Sequence, residues 1–179
     1  KKVAVSGLRS ATHIEFVNWL EENNVDPKKV RFLEAPFPAQ QDLLKSGSVD
    51  ATLSIDPFLT RTVNAKVAHV VTWLSDKIPL DTSLVFFAGR GEWVKQNPAI
   101  VKAFRAAVTK GIAFVDANPA KAHDYVGEML KLPKDAASQT EFGKLRADLA
   151  PTQLQWWIDV MLKQKLIRNK INAATIIAK

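Results

Sequence analysis

The sequence contains no cysteine. Disulfides, thiol catalysis and cysteine-ligated metals are therefore excluded. The lack is compatible with an oxidising compartment, where stray thiols are a liability. Histidine is scarce, at 3 residues. His13, His69 and His123 lie far apart, and none stands at the His-x-x-x-His spacing of a zinc site. Gly-x-Ser-x-Gly is absent, so no nucleophile elbow is read. Only Gly7 stands in the first turn of the chain, which excludes a phosphate loop and a dinucleotide fingerprint there. No apolar run approaches the ~18–20 residues of a membrane span. Blocks of like charge, internal repeats and low-complexity segments are also missing.

What is present is an ordinary globular composition, 47% apolar over 179 residues, with a net charge of +7. That charge does not point to nucleic acid, because the basic residues are scattered. The densest group, Lys163, Lys165, Arg168 and Lys170, follows an apolar helix and suits its C-terminal turn. A basic surface suits anionic lipids or small anionic ligands at least as well.

The organising stretch is Val3 to Glu15. Val3-Ala4-Val5 reads as a buried strand. Gly7 permits a tight turn. Ser10 and Thr12 offer N-cap side chains, and Thr12-x-x-Glu15 fits a capping box. Phe16, Val17, Trp19 and Leu20 then recur at helical spacing. A strand, a turn and a helix start direct free N–H groups and a helix dipole at one spot. Arg9, Ser10, Thr12 and His13 add donors, so the spot suits an anion or a strong acceptor. Many α/β proteins also carry such a capped helix and bind nothing there.

Further strands are predicted at 30–33, 51–55, 67–73 and 83–88, with short helices after Pro38 and after Asp56-Pro57. The alternation implies βαβ units and an open, mostly parallel sheet with helices on both faces. From Asn97-Pro98 onward the chain reads as helical. Ile100, Val101, Phe104, Val108, Ile112 and Val115 make one stripe, and Asn118-Pro119 starts the next helix. Thr152-x-x-Gln155 fits a second capping box, followed by an apolar face of Leu154, Trp157, Ile158, Met161 and Leu162.

Several short motifs then occur in a familiar order. Gly7-x-x-Ser10-x-x-His13 follows the first strand. Gly47-Ser48-Val49-Asp50-Ala51 precedes the third, and Asp56-Pro57-Phe58 ends it. Asn97-Pro98, Asn118-Pro119-Ala120-Lys121-Ala122 and Leu154-Gln155-Trp156-Trp157-Ile158-Asp159 follow. This order resembles the nitrate/sulfonate/taurine group of periplasmic substrate-binding proteins of ABC importers, over nearly all of the chain. One departure is Gln164-Lys165-Leu166, where the family often has Gln-Gly-Leu.

The resemblance implies an α/β fold of the type II periplasmic-binding-protein class, with two lobes around a ligand cleft. Residues 1–118 would be the second lobe, and 119–179 the C-terminal helices that return to the first. The chain would begin just after the crossing between lobes. The resemblance also implies a non-enzymatic role with no cofactor. The ligand would be a small anionic or zwitterionic solute, such as a sulfonate, taurine or nitrate. The partner would be the membrane permease of an ABC importer, and the place periplasmic or extracytoplasmic, with a lipid anchor as one form.

Ligand contacts fall to Arg9, Ser10, Thr12 and His13 at the helix start, and to Asp56 and Phe58 on the later loop. Asp56 suits an amino group on a zwitterion, but it equally suits capping of the next helix. Phe58 reads first as core. A related fold serves an enzyme of thiamine-pyrimidine synthesis, but through cysteines that this chain lacks. The rival reading is the effector-sensing domain of a LysR-type regulator, which shares the two-lobe class; the long C-terminal helices favour the importer. With the first lobe absent, the face of Leu154, Trp157, Ile158, Met161 and Leu162 is expected to be exposed or to drive self-association.

Overall fold

In the computed structural model, which describes residues 1–140 and 142–178, Val3, Ala4 and Val5 form the inner strand of a parallel sheet. The strands are β1 (Lys2–Val5), β2 (Arg31–Glu34) and β3 (Ala51–Thr52), in the order β2-β1-β3. β1 pairs in register with both neighbours, Val3 opposite Phe32 and Ala51, and Ala4 opposite Leu33 and Thr52. Parallel pairing requires crossovers, and helices α1 (Ala11–Glu22) and α2 (Phe37–Lys45) supply them.

Because side chains alternate along a strand, β1 feeds two cores. Val3 and Val5 pack with Leu53 and, from α1, Phe16. Ala4 packs on the opposite face with Ala35 and Val49, against Leu43 and Leu44 of α2. The central strand is therefore buried on both faces, as an apolar run without alternation requires. A short helix, α3 (Phe58–Asn64), follows β3. Both prolines between β2 and β3 belong to the start of α2: Pro36 is its N-cap and Pro38 stands in its first turn, where a missing N–H costs nothing.

The sheet is smaller than the sequence predicts. Among the described residues no strand forms at 67–73 or 83–88. A strand needs a neighbour to satisfy its backbone, and β-branched composition alone does not provide one. Val71 is 81% exposed and Val85 is 88% exposed. His69 is exposed as well. The backbone of Ser83 is taken instead by a helix: its N–H donates to the Gln153 carbonyl at 3.0 Å and its carbonyl accepts from the Trp157 indole at 2.7 Å.

The chain divides into two units, Lys1–Pro79 and Leu80–Lys179. The second holds α4 (Gly91–Gln96), α5 (Pro98–Ala117), α6 (Pro119–Leu130), α7 (Lys134–Ser138) and α8 (Thr152–Lys163). The two Asn-Pro pairs begin α5 and α6 as predicted, but neither asparagine caps forward. Asn97 Nδ2 donates to the Trp93 carbonyl and Asn118 Nδ2 to the Phe114 carbonyl. Each closes the helix behind it, because the last carbonyls there lack intrahelical partners. No residue of α5 is fully buried: Val101, Val108, Ile112 and Val115 of its predicted stripe are partly covered, while Ile100 and Phe104 are exposed. His123 is half-buried, stacks on Phe142 and meets the Thr140 carbonyl at 3.0 Å.

The apolar face of α8 also departs from expectation. Leu154, Trp157, Ile158 and Val160 are buried. The chain's own C-terminal segment covers Leu154 and Ile158 through Ile167, Ile171, Ala173 and Ile177, with Leu149 beside them. The expected exposure of this face is thus not found at Leu154, Trp157 and Ile158, while Met161 and Leu162 are half-buried. The second capping box does not form either. Pro151 is the N-cap, and Gln153 reaches back to accept the Ala150 N–H at 2.7 Å. Gln155 instead joins Asp159 and the Ala173 N–H.

Candidate functional site

All three strands are parallel, so the segments after β1, β2 and β3 emerge on one edge of the sheet. The path from β1 turns toward β2, while the chain then crosses to β3 on the other side. In open α/β sheets ligands settle at such a reversal, outside the carboxyl ends of the strands. Here the reversal lies between β1 and β3. It is flanked by residues 6–13 and 53–58, the two stretches that hold every predicted site residue.

The first stretch is a turn closed by Ser10 N–H donating to the Gly7 carbonyl at 3.1 Å. Gly7 is not the residue with the unusual backbone. Arg9 takes the left-handed conformation, φ 65°. A methyl group on Gly7 would only touch Glu34 and Ser10 at ordinary contact distances. Two further backbone donors of the turn are consumed internally. Leu8 N–H donates to Glu34 Oε1 at 2.5 Å, and Arg9 N–H donates to His13 Nδ1 at 2.8 Å.

Ser10 is the N-cap residue of α1, but its side chain caps nothing. Its hydroxyl lies 3.2 Å from that of Thr12 and 3.3 Å from that of Ser6. The predicted Thr12–Glu15 capping box is absent because Thr12 already stands inside the first turn. Hydroxyls that bond one another leave the helix donors open. Among the described residues no protein acceptor takes the N–H groups of Ala11, Thr12 and His13. Three N–H groups at the positive end of a helix, beside three hydroxyls, present a donor set for an anion. Ser6 is the member that sequence reasoning missed; its only signal is its place at the end of β1, beside the turn.

The His13 ring packs edge-on against Phe32, with centroids 4.5 Å apart. Burial lowers its pKa from the ordinary value, against a smaller upward pull from the Glu34 charge. Burial also pushes the Glu15 carboxyl up to about 7. The fold thus binds that proton more tightly than an unfolded chain does. Its stabilising contribution is complete below the ordinary glutamate range and is lost as pH rises toward and through 7. Glu15→Gln is therefore expected to melt at a higher temperature than the parent at pH 8 and at nearly the same temperature at pH 4. Equal melting temperatures at pH 8 would contradict this assignment.

On the second stretch, Asp56 Oδ1 accepts the Thr60 N–H at 3.1 Å and the Thr60 hydroxyl at 2.6 Å. One of its oxygens thus serves the start of α3. Phe58 is half-buried and stacks on Phe37 with centroids 5.9 Å apart. The Arg61 guanidinium lies over the same ring, 5.7 Å from its centroid. Asp50 stands at the other end of β3, where its carboxylate accepts the Lys2 N–H at 2.6 Å. A cavity of about 110 Å³ at that amino-terminal edge is lined by Lys2, Arg31, Leu33 and Ser48, away from any start of α1. Among the described residues no cluster of metal-ligating side chains exists, and no helix is long and apolar enough to cross a membrane.

Comparison with known proteins bears on this arrangement. The fold is similar to the alkanesulfonate-binding protein SsuA of Xanthomonas axonopodis pv. citri, solved with MOPS bound. The TM-score is 0.74 at 15% identity, covering 98% of this chain and 62% of that one. It is also similar to the periplasmic aliphatic sulphonate binding protein SsuA of Escherichia coli. There the TM-score is 0.70 at 16% identity, covering 99% of this chain and 62% of that one. The chain thus spans somewhat under two thirds of the length of either. No curated protein matches its sequence. The model of the NMT1-like family matches residues 1–130, through the whole of the sheet, the α1 start and the first two long helices of the second unit, and the chain belongs to that family.

Proposed function

We propose that this chain is part of the substrate-binding component of an ABC importer, and that it captures a small anionic or zwitterionic solute. One observation carries the reading: the open N–H groups of Ala11, Thr12 and His13 stand with the Ser6, Ser10 and Thr12 hydroxyls at the switch edge of a parallel sheet. A sulfonate fits this set because its three oxygens accept several bonds at once while its charge meets the helix dipole. Arg9 adds a fixed positive charge. Asp56 keeps Oδ2 for the ammonium of a zwitterion such as taurine, while its Oδ1 serves Thr60. Phe58 borders the same stretch.

Family membership and the fold shared with two sulfonate-binding proteins support this reading. In it the protein is a binder, not an enzyme. Residues 1–118 serve as the second lobe and 119–179 as the C-terminal helices that meet the first. The whole protein acts outside the cytoplasm, in the periplasm or lipid-anchored, and delivers its solute to a membrane permease.

Calorimetric titration of the whole protein tests it, with ethanesulfonate, taurine and nitrate as probes and ethylammonium as a cation of similar size. At least one of the three anionic or zwitterionic probes is expected to bind saturably and ethylammonium not at all. Binding of none of them, or of ethylammonium as tightly as the best of them, would overturn the proposal.

A further inference from the structure

The predicted role of His13 as a ligand contact does not match where its ring atoms point their bonds. An amide N–H can only donate, so the Nδ1 that receives the Arg9 N–H at 2.8 Å carries no proton. In the neutral ring the proton is therefore on Nε2. That nitrogen is enclosed and has no hydrogen-bond partner. Neither ring nitrogen is left for a solute.

What the ring holds is Arg9. A non-glycine residue at φ 65° is disfavoured unless its surroundings fix it. Two anchors fix this turn: the Glu34 carboxylate on the Leu8 N–H and the His13 imidazole on the Arg9 N–H. The ring is itself held edge-on by Phe32 of β2. We infer that His13 is a positioning residue. Its neutral side chain locks the Arg9 turn and so sets where Arg9 and the Ser10 hydroxyl stand, and protonation of Nδ1 releases that turn.

This inference rests on the proposed anion site only for its effect on binding. Its sign is informative. A histidine that touched the anion would bind it more tightly when protonated. A histidine that must accept an N–H makes binding weaker at low pH. Burial keeps the ring neutral into mildly acidic solution, so the loss is expected below the ordinary histidine range. The charged groups to control are Glu34 on β2, which acts on the ring, Arg9 on the turn, and Glu15 on the same helix. Glu15 titrates near pH 7, and its ionisation near a helix start disfavours anions as pH rises, the opposite direction. The pH series is therefore run in the Glu15→Gln background. Ethanesulfonate is the probe because its own charge stays constant.

Two variants separate the roles. Asparagine places an acceptor oxygen where Nδ1 lies but does not titrate. Phenylalanine keeps the ring against Phe32 but accepts nothing. By amide hydrogen exchange with no ligand present, Arg9 is expected to exchange roughly tenfold faster in His13→Phe and within about threefold of the parent in His13→Asn. Ethanesulfonate affinity should fall roughly tenfold in His13→Phe, and its loss at low pH should vanish in His13→Asn. Unchanged Arg9 exchange in His13→Phe overturns the inference whether or not a sulfonate binds. Tighter parent binding at low pH overturns it too and returns His13 to a direct contact. Normal exchange behaviour with no binding of any probe would sink the anion site and leave the positioning role intact.

Discussion

Replacing Ser10 and Thr12 together by alanine is expected to weaken ethanesulfonate binding by at least roughly a hundredfold. Each hydroxyl offers a hydrogen bond to a charged acceptor, worth about 1.5–3 kcal/mol. The two lie 3.2 Å apart at the mouth of α1, close enough to serve one sulfonate. The double variant keeps the backbone donors of Ala11, Thr12 and His13, so binding should weaken rather than vanish. It also deletes no cap, because the Ser10 side chain makes no capping bond. Stability should therefore stay within about 0.5 kcal/mol of the parent. Ser46→Ala, at the far end of α2, removes an exposed hydroxyl from the same unit and serves as the control. A double variant that binds as the parent does would place the site elsewhere.

Trp157→Ala is expected to cost about 3–5 kcal/mol of stability, the largest single effect in the second unit. The indole is 7% exposed, on a helix whose Leu154 and Ile158 pack under the C-terminal segment. Its Nε1–H also satisfies the Ser83 carbonyl at 2.7 Å, and truncation strips that carbonyl of its donor. Trp156, edge-on to it at 4.8 Å, is only half-buried, and its replacement by alanine should cost markedly less. Urea unfolding of both variants by far-UV circular dichroism measures the difference. A Trp157→Ala loss below about 1 kcal/mol would contradict the covered face described for α8.

That face shows where sequence and structure part. The periodicity of Leu154, Trp157 and Ile158 locates a buried helix side correctly. It does not say what buries it. The covering residues Ile167, Ile171, Ala173 and Ile177 lie in a segment with almost no regular structure, so no periodic signal announces them. The same limit applies to the strands. Val3-Ala4-Val5 reads as buried because it is apolar without alternation, and it proves central. Residues 67–73 and 83–88 share that composition and form no strand, because pairing is decided by neighbours distant in sequence.

The candidate site is legible to the same degree. Gly7 to His13 marks a strand-to-helix turn with many donors, and the fold places it at the switch edge. Which donors remain open is not legible. It depends on Glu34 reaching the Leu8 N–H from another strand and on the His13 ring turning back to Arg9. Ser6 joins the hydroxyl cluster for the same reason, since its distances to Ser10 and Thr12 arise only once the turn has closed. Glycine marks the turn in sequence, yet the left-handed residue is Arg9, because a side-chain acceptor four residues on stabilises a conformation that glycine would adopt freely.

The most direct measurement is a crystal structure of the whole protein with ethanesulfonate bound. The predicted result is a sulfonate within hydrogen-bond distance of the backbone N–H groups of Ala11, Thr12 and His13 and of the Ser10 and Thr12 hydroxyls. A sulfonate bound away from the start of α1, with those N–H groups facing water, would contradict it.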